Sequence, residues 1–184
     1  MPAKFLGLAV TPSVRAAQVH YNGRSPHTAT PSTPESLGPE EAEFIQARDS
    51  FYLSTISESG WPYIQHRGGP AGFLKVVSPT VLAFADYQGN RQLLSTGNLA
   101  TNDRVAMFLM DYPQRTRLKI LGHARVEDAR GRAELAEQFA SPELRRIVER
   151  VFMIDVVAFD WNCPKFITPR YTAAEFAGLD PSHP

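Results

Sequence analysis

Between Trp61 and Arg125 short apolar runs alternate with turn residues, and basic side chains fall near the ends of those runs. The run Ser50–Ile56 has high β-propensity, Ser57–Gly60 is a turn, and Trp61–His66 returns, which is the pattern of a hairpin. Arg67–Gly72 interrupts it with three glycines and a proline, where backbone either comes close to another group or turns a corner. Two further strands, Phe73–Val77 and Thr80–Ala85, are joined at Ser78-Pro79. A loop at Asp86–Gly89 leads into a helix from Asn90-Arg91 to about Leu99, ended by Asn102-Asp103. Val105–Met110 is apolar almost throughout and reads as a strand buried on both faces. Arg115–Val126 alternates polar and apolar, with Gly122 marking a bend, and Val151–Phe159 is the last apolar strand.

Helical patterns lie outside these runs. Thr11-Pro12 is an N-cap and first-turn proline opening a helix through about Val19. Residues 20–39 are dense in Pro, Ser, Thr and Gly without periodicity, and read as an extended arm over the body or over a partner subunit. Pro39–Ile45 is a helix with acidic residues in its first turn. Two helices are expected at Arg130–Phe139 and Pro142–Arg150, and a short one at Thr172–Ala177. Seven antiparallel strands with peripheral helices make a mainly β chain, and a closed or nearly closed barrel handles that many edges best. The divisions are a helix and arm (1–38), a barrel domain (39–170) and a tail (171–184).

Composition narrows the class. A chain of 184 residues, 43% hydrophobic and 21% charged, suits one soluble globular domain. The single cysteine, Cys163, rules out an internal disulfide framework. The apolar patch Phe5–Val10 is too short for a leader, and no run approaches the roughly 20 apolar residues of a membrane span. A cytoplasmic protein without membrane or nucleic-acid partners is the expectation, the net charge being zero. Residues 60–126 nevertheless carry eight basic against three acidic side chains, a surplus of five. Either a small anionic ligand sits among them, or they are solvated strand-edge charges.

Nucleotide-loop, zinc-protease and nucleophile-elbow motifs are absent, the histidines are scattered, and Cys163 has no partner at metal-ligand spacing. What remains is Gly89-Asn90-Arg91 at an expected helix start, where backbone N–H groups, an amide and a guanidinium converge as a phosphate site. Arg67, beside Gly68 and Gly69, and Arg117 could add charge to the same anion. For Arg117 the plain alternative is pairing with a cross-strand acid.

The ordered segments HRGGPAGF (66–73), FADYQGNR (84–91), GNL (97–99), NDRV (102–105), RLKILGHA (117–124) and WNCPKFI (161–167) resemble the pyridoxamine 5′-phosphate oxidase-like, FMN-binding split-barrel superfamily. The resemblance covers about residues 40–170. It implies a six- to seven-stranded split barrel, with FMN in a cleft between two subunits of a homodimer. It places Asn90 and Arg91 at the FMN phosphate, and Arg67, Gly68 and Gly69 on the strand facing the flavin. Asp86 and Asn98 belong to the same motifs. Arg117 falls against the isoalloxazine ring, and Lys165 in the segment that approaches from the partner. WNCPKFITPR replaces the oxidase's substrate-recognising end, so its substrate residues do not transfer. Asn90 stands where the family has a basic phosphate ligand. The resemblance thus implies an FMN-dependent oxidoreductase acting on a small-molecule substrate. The alternatives are a carrier of flavin, of haem or of the deazaflavin F420 in the same barrel, or a fold without cofactor.

Overall fold

The computed structural model describes residues 3–26, 33–161 and 164–178. Its strands are β1 (Ser50–Ile56), β2 (Pro62–Gly68), β3 (Lys75–Ser78), β4 (Val81–Tyr87), β5 (Arg104–Asp111), β6 (Thr116–Asp128) and β7 (Val148–Trp161). They form one antiparallel sheet in the order β2-β1-β5-β6-β7-β4-β3. Backbone bonding does not close it. β2 and β3 are edges, so the barrel is split, and side chains must hold the gap.

They do so with aromatic packing. Phe51 of β1 meets Phe84 of β4 edge-on at 5.2 Å between centroids, and Phe84 stacks on Phe152 of β7 at 4.9 Å. Phe73 stacks on Phe51 at 5.5 Å. Such pairs add to the burial of their own area. Leu53, Met107, Leu118, Ile120 and Ile154 fill the remaining interior.

Among the described residues six α-helices accompany the sheet: α1 (Ala3–Ala9), α2 (Pro12–Asn22), α3 (Pro39–Gln46), α4 (Leu94–Leu99), α5 (Ala133–Phe139) and α6 (Ala173–Ala177). The Glu41 carboxylate of α3 accepts from the Gly38 N–H at 2.8 Å and from Trp161 Nε1 at 2.8 Å. One buried acid thus caps its own helix and pins it to the end of β7. After α3, Arg48 pairs with Asp111 at 2.7 Å, tying the entry of β1 to the end of β5. Of the arm, residues 27–32 lie outside the described residues. Its later part lies on the body: Glu35 N–H donates to Val157 O at 3.1 Å, and Leu37 N–H to Pro79 O at 2.7 Å.

Several expectations change. The Phe5–Val10 patch belongs to a helix, α1, whose Lys4 is buried with its ammonium donating to Thr33 O. β2 continues through Arg67 and Gly68, and β4 through Asp86 and Tyr87, so these are strand residues rather than a break and a loop. β5 is buried on one face only, through Val105, Met107 and Leu109. The strand covered on both faces is β4, because small Ala83 and Ala85 let Leu135, Ala136 and Phe139 of α5 pack on its outer side. Pro142–Arg150 is not a helix. A single 3-10 turn at Arg145–Ile147 precedes β7, which starts at Val148. There cross-strand pairing with β4 and β6 overrides local helix propensity.

Gly122 does mark a bend, since the β6–β7 register shifts between Leu121 and Gly122. A Cβ there would lie 2.7 Å from Asp155 O and 2.8 Å from Ile154 Cγ2. Gly122→Ala is therefore expected to destabilise the chain by about 1–3 kcal/mol through overpacking. An unchanged midpoint in urea denaturation would refute this.

Candidate functional site

The inward face of β2 presents Tyr63, Gln65 and Arg67, every second residue of an edge strand whose alternate residues are exposed. Opposite stand Asp86 and Tyr87 at the end of β4, Arg150 near the start of β7, and the loop 89–93 leading to α4. Together they line a cavity of about 200 Å3 at the split.

Asp86 is the junction. Arg67 Nη1 donates to its Oδ1 from across the split, and Arg150 approaches its Oδ2 at 2.9 Å from the adjacent strand. Arg150 also pairs with Glu149 at 3.0 Å. Arg67 lies over Phe152 at 5.0 Å and Phe84 at 5.6 Å, so the cation rests on the aromatic core. Burial pulls the Arg67 pKa below that of a free arginine, and the Asp86 carboxylate pushes it back. Its Nε is buried without a hydrogen-bond partner among the described residues. A smaller hollow of about 160 Å3 adjoins on the side of His66, Gly68 and Phe73.

The mouth is built differently. Asn90 Oδ1 accepts from the Gln92 N–H at 3.1 Å, and Arg91 and Leu93 take left-handed φ of 59° and 56°. The helix starts only at Leu94. Asn90 and Arg91 are therefore in a loop, and the helix start that lines the cavity lies at Leu94–Thr96, later than expected. Arg91 pairs with Glu149 at 3.6 Å and, at 64% exposed, is the most exposed cation of the cavity. Ser95 Oγ donates to Gln65 Oε1 at 3.0 Å, and Asn98 Nδ2 to Thr55 Oγ1 at 2.9 Å, fixing α4 to the β1–β2 hairpin.

Of the residues named from sequence, Arg67, Asp86, Asn90 and Arg91 share this cavity and Gly68 lines the adjoining hollow. Gly69 lies against Phe73, where a Cβ would come within 2.7 Å of the ring. Asn98 acts on Thr55 rather than in the cavity. Arg117 is on β6, 5.6 Å above Phe108 and opposite Met110, with its Nε buried and unpartnered among the described residues. Lys165 is exposed in a turn of the tail. Cys163 lies outside the described residues. Sequence reasoning missed Tyr63, Gln65, Ser95, Thr96 and Arg150. The period-two spacing to Arg67 could have found the first two. Arg150 was hidden by the expected helix. Much of the basic surplus is conventional pairing, as in Lys119–Asp160 at 2.6 Å and Arg125–Asp155 at 3.1 Å.

Chemically the cavity holds three arginines against one carboxylate, with hydroxyl and amide groups between them. Such a set can bind and orient an anion, since arginine donors suit bidentate contact with phosphate-type oxygens. Among the described residues no group of three or more metal-ligating side chains comes together.

A family profile for pyridoxamine 5′-phosphate oxidase matches residues 37–158. The chain belongs to that family. Among solved structures it is similar to a putative pyridoxamine 5′-phosphate oxidase from Lactobacillus delbrueckii (TM-score 0.53, 18% identity, covering 70% of this chain and 97% of that one). It is likewise similar to HupZ of Group A Streptococcus (TM-score 0.52, 11% identity, 74% and 98% covered). At these identities the likeness shows the fold, a split barrel. No curated protein matches the chain.

Removing the Asp86 charge leaves two largely buried arginines facing each other. Asp86→Asn is expected to cost about 3 kcal/mol, as when one partner of a buried pair is lost. The contrast is Asp128, whose carboxyl Arg130 holds below the usual range although both are fully exposed. Solvent screening makes that pair weak, so Asp128→Asn should leave the denaturation midpoint in place. Equal shifts for both variants would contradict the assignment of Asp86 as the junction.

Proposed function

We propose that this chain is an FMN-binding flavoprotein working as a pair of identical subunits, an oxidoreductase acting on a small-molecule substrate. The observation that carries the reading is the arginine-lined cavity at the split, in a chain of the pyridoxamine 5′-phosphate oxidase family. Its residues fit the phosphate end of the cofactor. Arg91 is largely exposed at the mouth with Glu149 at 3.6 Å, Arg67 keeps a buried Nε–H without a partner among the described residues, and Asn90 stands beside them.

Size supports the two-chain reading. Cavities that enclose a ligand of this class run to about 300–1,000 Å3, and this one is about 200 Å3. One chain accordingly grips the phosphate end, and a second chain covers the ring. Arg117 and Lys165 do not line the cavity, and would act on the cofactor held by the other subunit. Bound FMN supplies reversible two-electron transfer. The protein's part is to hold its phosphate on Arg91 and Arg67, to keep Arg67 oriented through Asp86, and to exclude water.

Titrating the purified apoprotein with FMN and following flavin fluorescence tests this. Binding is expected, and Arg91→Ala should weaken it by roughly 1.5–3 kcal/mol, the range for hydrogen bonds to charged groups. Equal affinity for wild type and variant would remove Arg91 from the site, and no uptake of FMN would remove the function. Anaerobic bleaching by NADH or NADPH separates an oxidoreductase from a carrier.

A further inference from the structure

Donors and acceptors around the cavity at the split are unevenly engaged. Its one lining carboxylate, Asp86, turns both oxygens on guanidiniums, Oδ1 on Arg67 and Oδ2 on Arg150. Glu149, beside the lining, does the same: Oε2 accepts from Arg150 at 3.0 Å, and Oε1 faces Arg91 at 3.6 Å. The amides follow. Asn90 Oδ1 accepts from the Gln92 N–H at 3.1 Å, and Gln65 Oε1 from Ser95 Oγ at 3.0 Å. Each of these two amides therefore has its NH2 group left for a ligand. Gln92 itself is exposed at the mouth and can turn either end of its amide inward.

The ionisable groups of the surrounding elements add donors rather than open acceptors. β2 brings Tyr63 and Arg67, whose Nε–H is buried without an acceptor among the described residues. His66, between them and the end of the strand, alternates to the other face, its ring 5.7 Å from that of Tyr52. β4 brings Asp86 and Tyr87, and burial pushes the Tyr87 pKa up, so that hydroxyl keeps its proton. The loop brings Arg91 and β7 brings Arg150, whereas α4 carries no ionisable side chain. An oxyanion without hydrogen suits such a wall, since its oxygens only accept. A phosphate that keeps a proton must also place a P–OH, and no carboxylate oxygen of the lining is open to take it.

We propose that the cavity selects a tetrahedral anion in its doubly charged, hydrogen-free form, a phosphate monoester as the dianion or sulfate, and discriminates against the protonated monoanion. A phosphate ligand is then its own switch. It is held at neutral pH and released as it takes its second proton, near a pH of about 6 for a monoester, the proton going to the ligand and not to the protein. The inference rests on the reading of the cavity as an anion site, but not on that anion being FMN.

Calorimetric titration of the apoprotein with methyl phosphate and with sulfate, at pH 7 and pH 5 and constant ionic strength, provides the test. Methyl phosphate should bind roughly tenfold more weakly at pH 5, where about a tenth of a phosphomonoester is dianionic. Sulfate keeps both charges and should hold its affinity. Asn90→Asp, at an exposed loop position, turns a donor into an acceptor. It should weaken sulfate at both pH values, and methyl phosphate at pH 5 by less. Parallel weakening of both anions at pH 5 in the wild type overturns the proposal, because a protein group would then be titrating. Methyl phosphate of equal strength at the two pH values overturns it as well. Equal losses for both anions in Asn90→Asp overturn the account through acceptors and leave charge alone. Binding of neither anion removes the anion site and this inference with it. The expected anion pattern without uptake of FMN would instead remove the flavin and leave the selectivity standing.

Discussion

The Asp86 carboxylate stands between Arg67 from β2 and Arg150 from β7, and the split barrel is organised around that contact. A sheet in the order β2-β1-β5-β6-β7-β4-β3 has two free edges, so nothing in its backbone bonding holds the first hairpin over β4. The aromatic stack beneath supplies apolar burial, which has no direction. The ion cluster supplies direction. Two guanidiniums that are 12% and 14% exposed would be costly alone. One shared carboxylate, with Glu149 as a second acid on Arg150, offsets much of that cost.

The same side chains line the cavity, so the seam and the binding site are one construction. Arg67 is fixed by Asp86 and by the faces of Phe84 and Phe152, which leaves its remaining donors in one place before any ligand arrives. Preorganisation of this kind lowers the cost of binding. Arg91 is the opposite case, exposed in a loop of left-handed residues and able to close on an anion. The core-facing side of the barrel is sealed, whereas its outer β1–β2–β5–β6 face is not. A family fold that hydrogen bonds leave open in one chain thus also leaves apolar surface uncovered.

How far the site could be read beforehand depended on the range of the forces involved. β1 was legible to the residue, because Phe51 and Leu53 alternate with polar neighbours and the strand packs as that alternation dictates. The N-cap at Thr11 and the bend at Gly122 were legible for similar local reasons. Arg67, Asp86, Asn90 and Arg91 were named from motifs, and they do share one cavity. Asn90 and Arg91 sit in a loop instead of at a helix start, because the chain turns twice through left-handed conformations before α4 begins. Arg150 escaped because Leu144–Arg150 has helical composition locally, and only the ladders to β4 and β6 make its last three residues strand.

The sequence by itself determined the strands, the mainly β class, the family and most of the basic residues at the cavity, since these follow from periodicity and ordered motifs within short windows. Only the tertiary structure decided which carboxylate each cation meets. Lys119 and Arg125 look no different from Arg91 along the chain. Yet Asp160 and Asp155 hold the first two at 2.6 and 3.1 Å from 41 and 30 residues away, while Arg91 stays 64% exposed with Glu149 at 3.6 Å. It also decided that Asp86 is a junction rather than a loop residue, and that the outer face of β5 is only half-buried in one chain. Those outcomes depend on which surfaces meet when the sheet curls, and no local pattern records that.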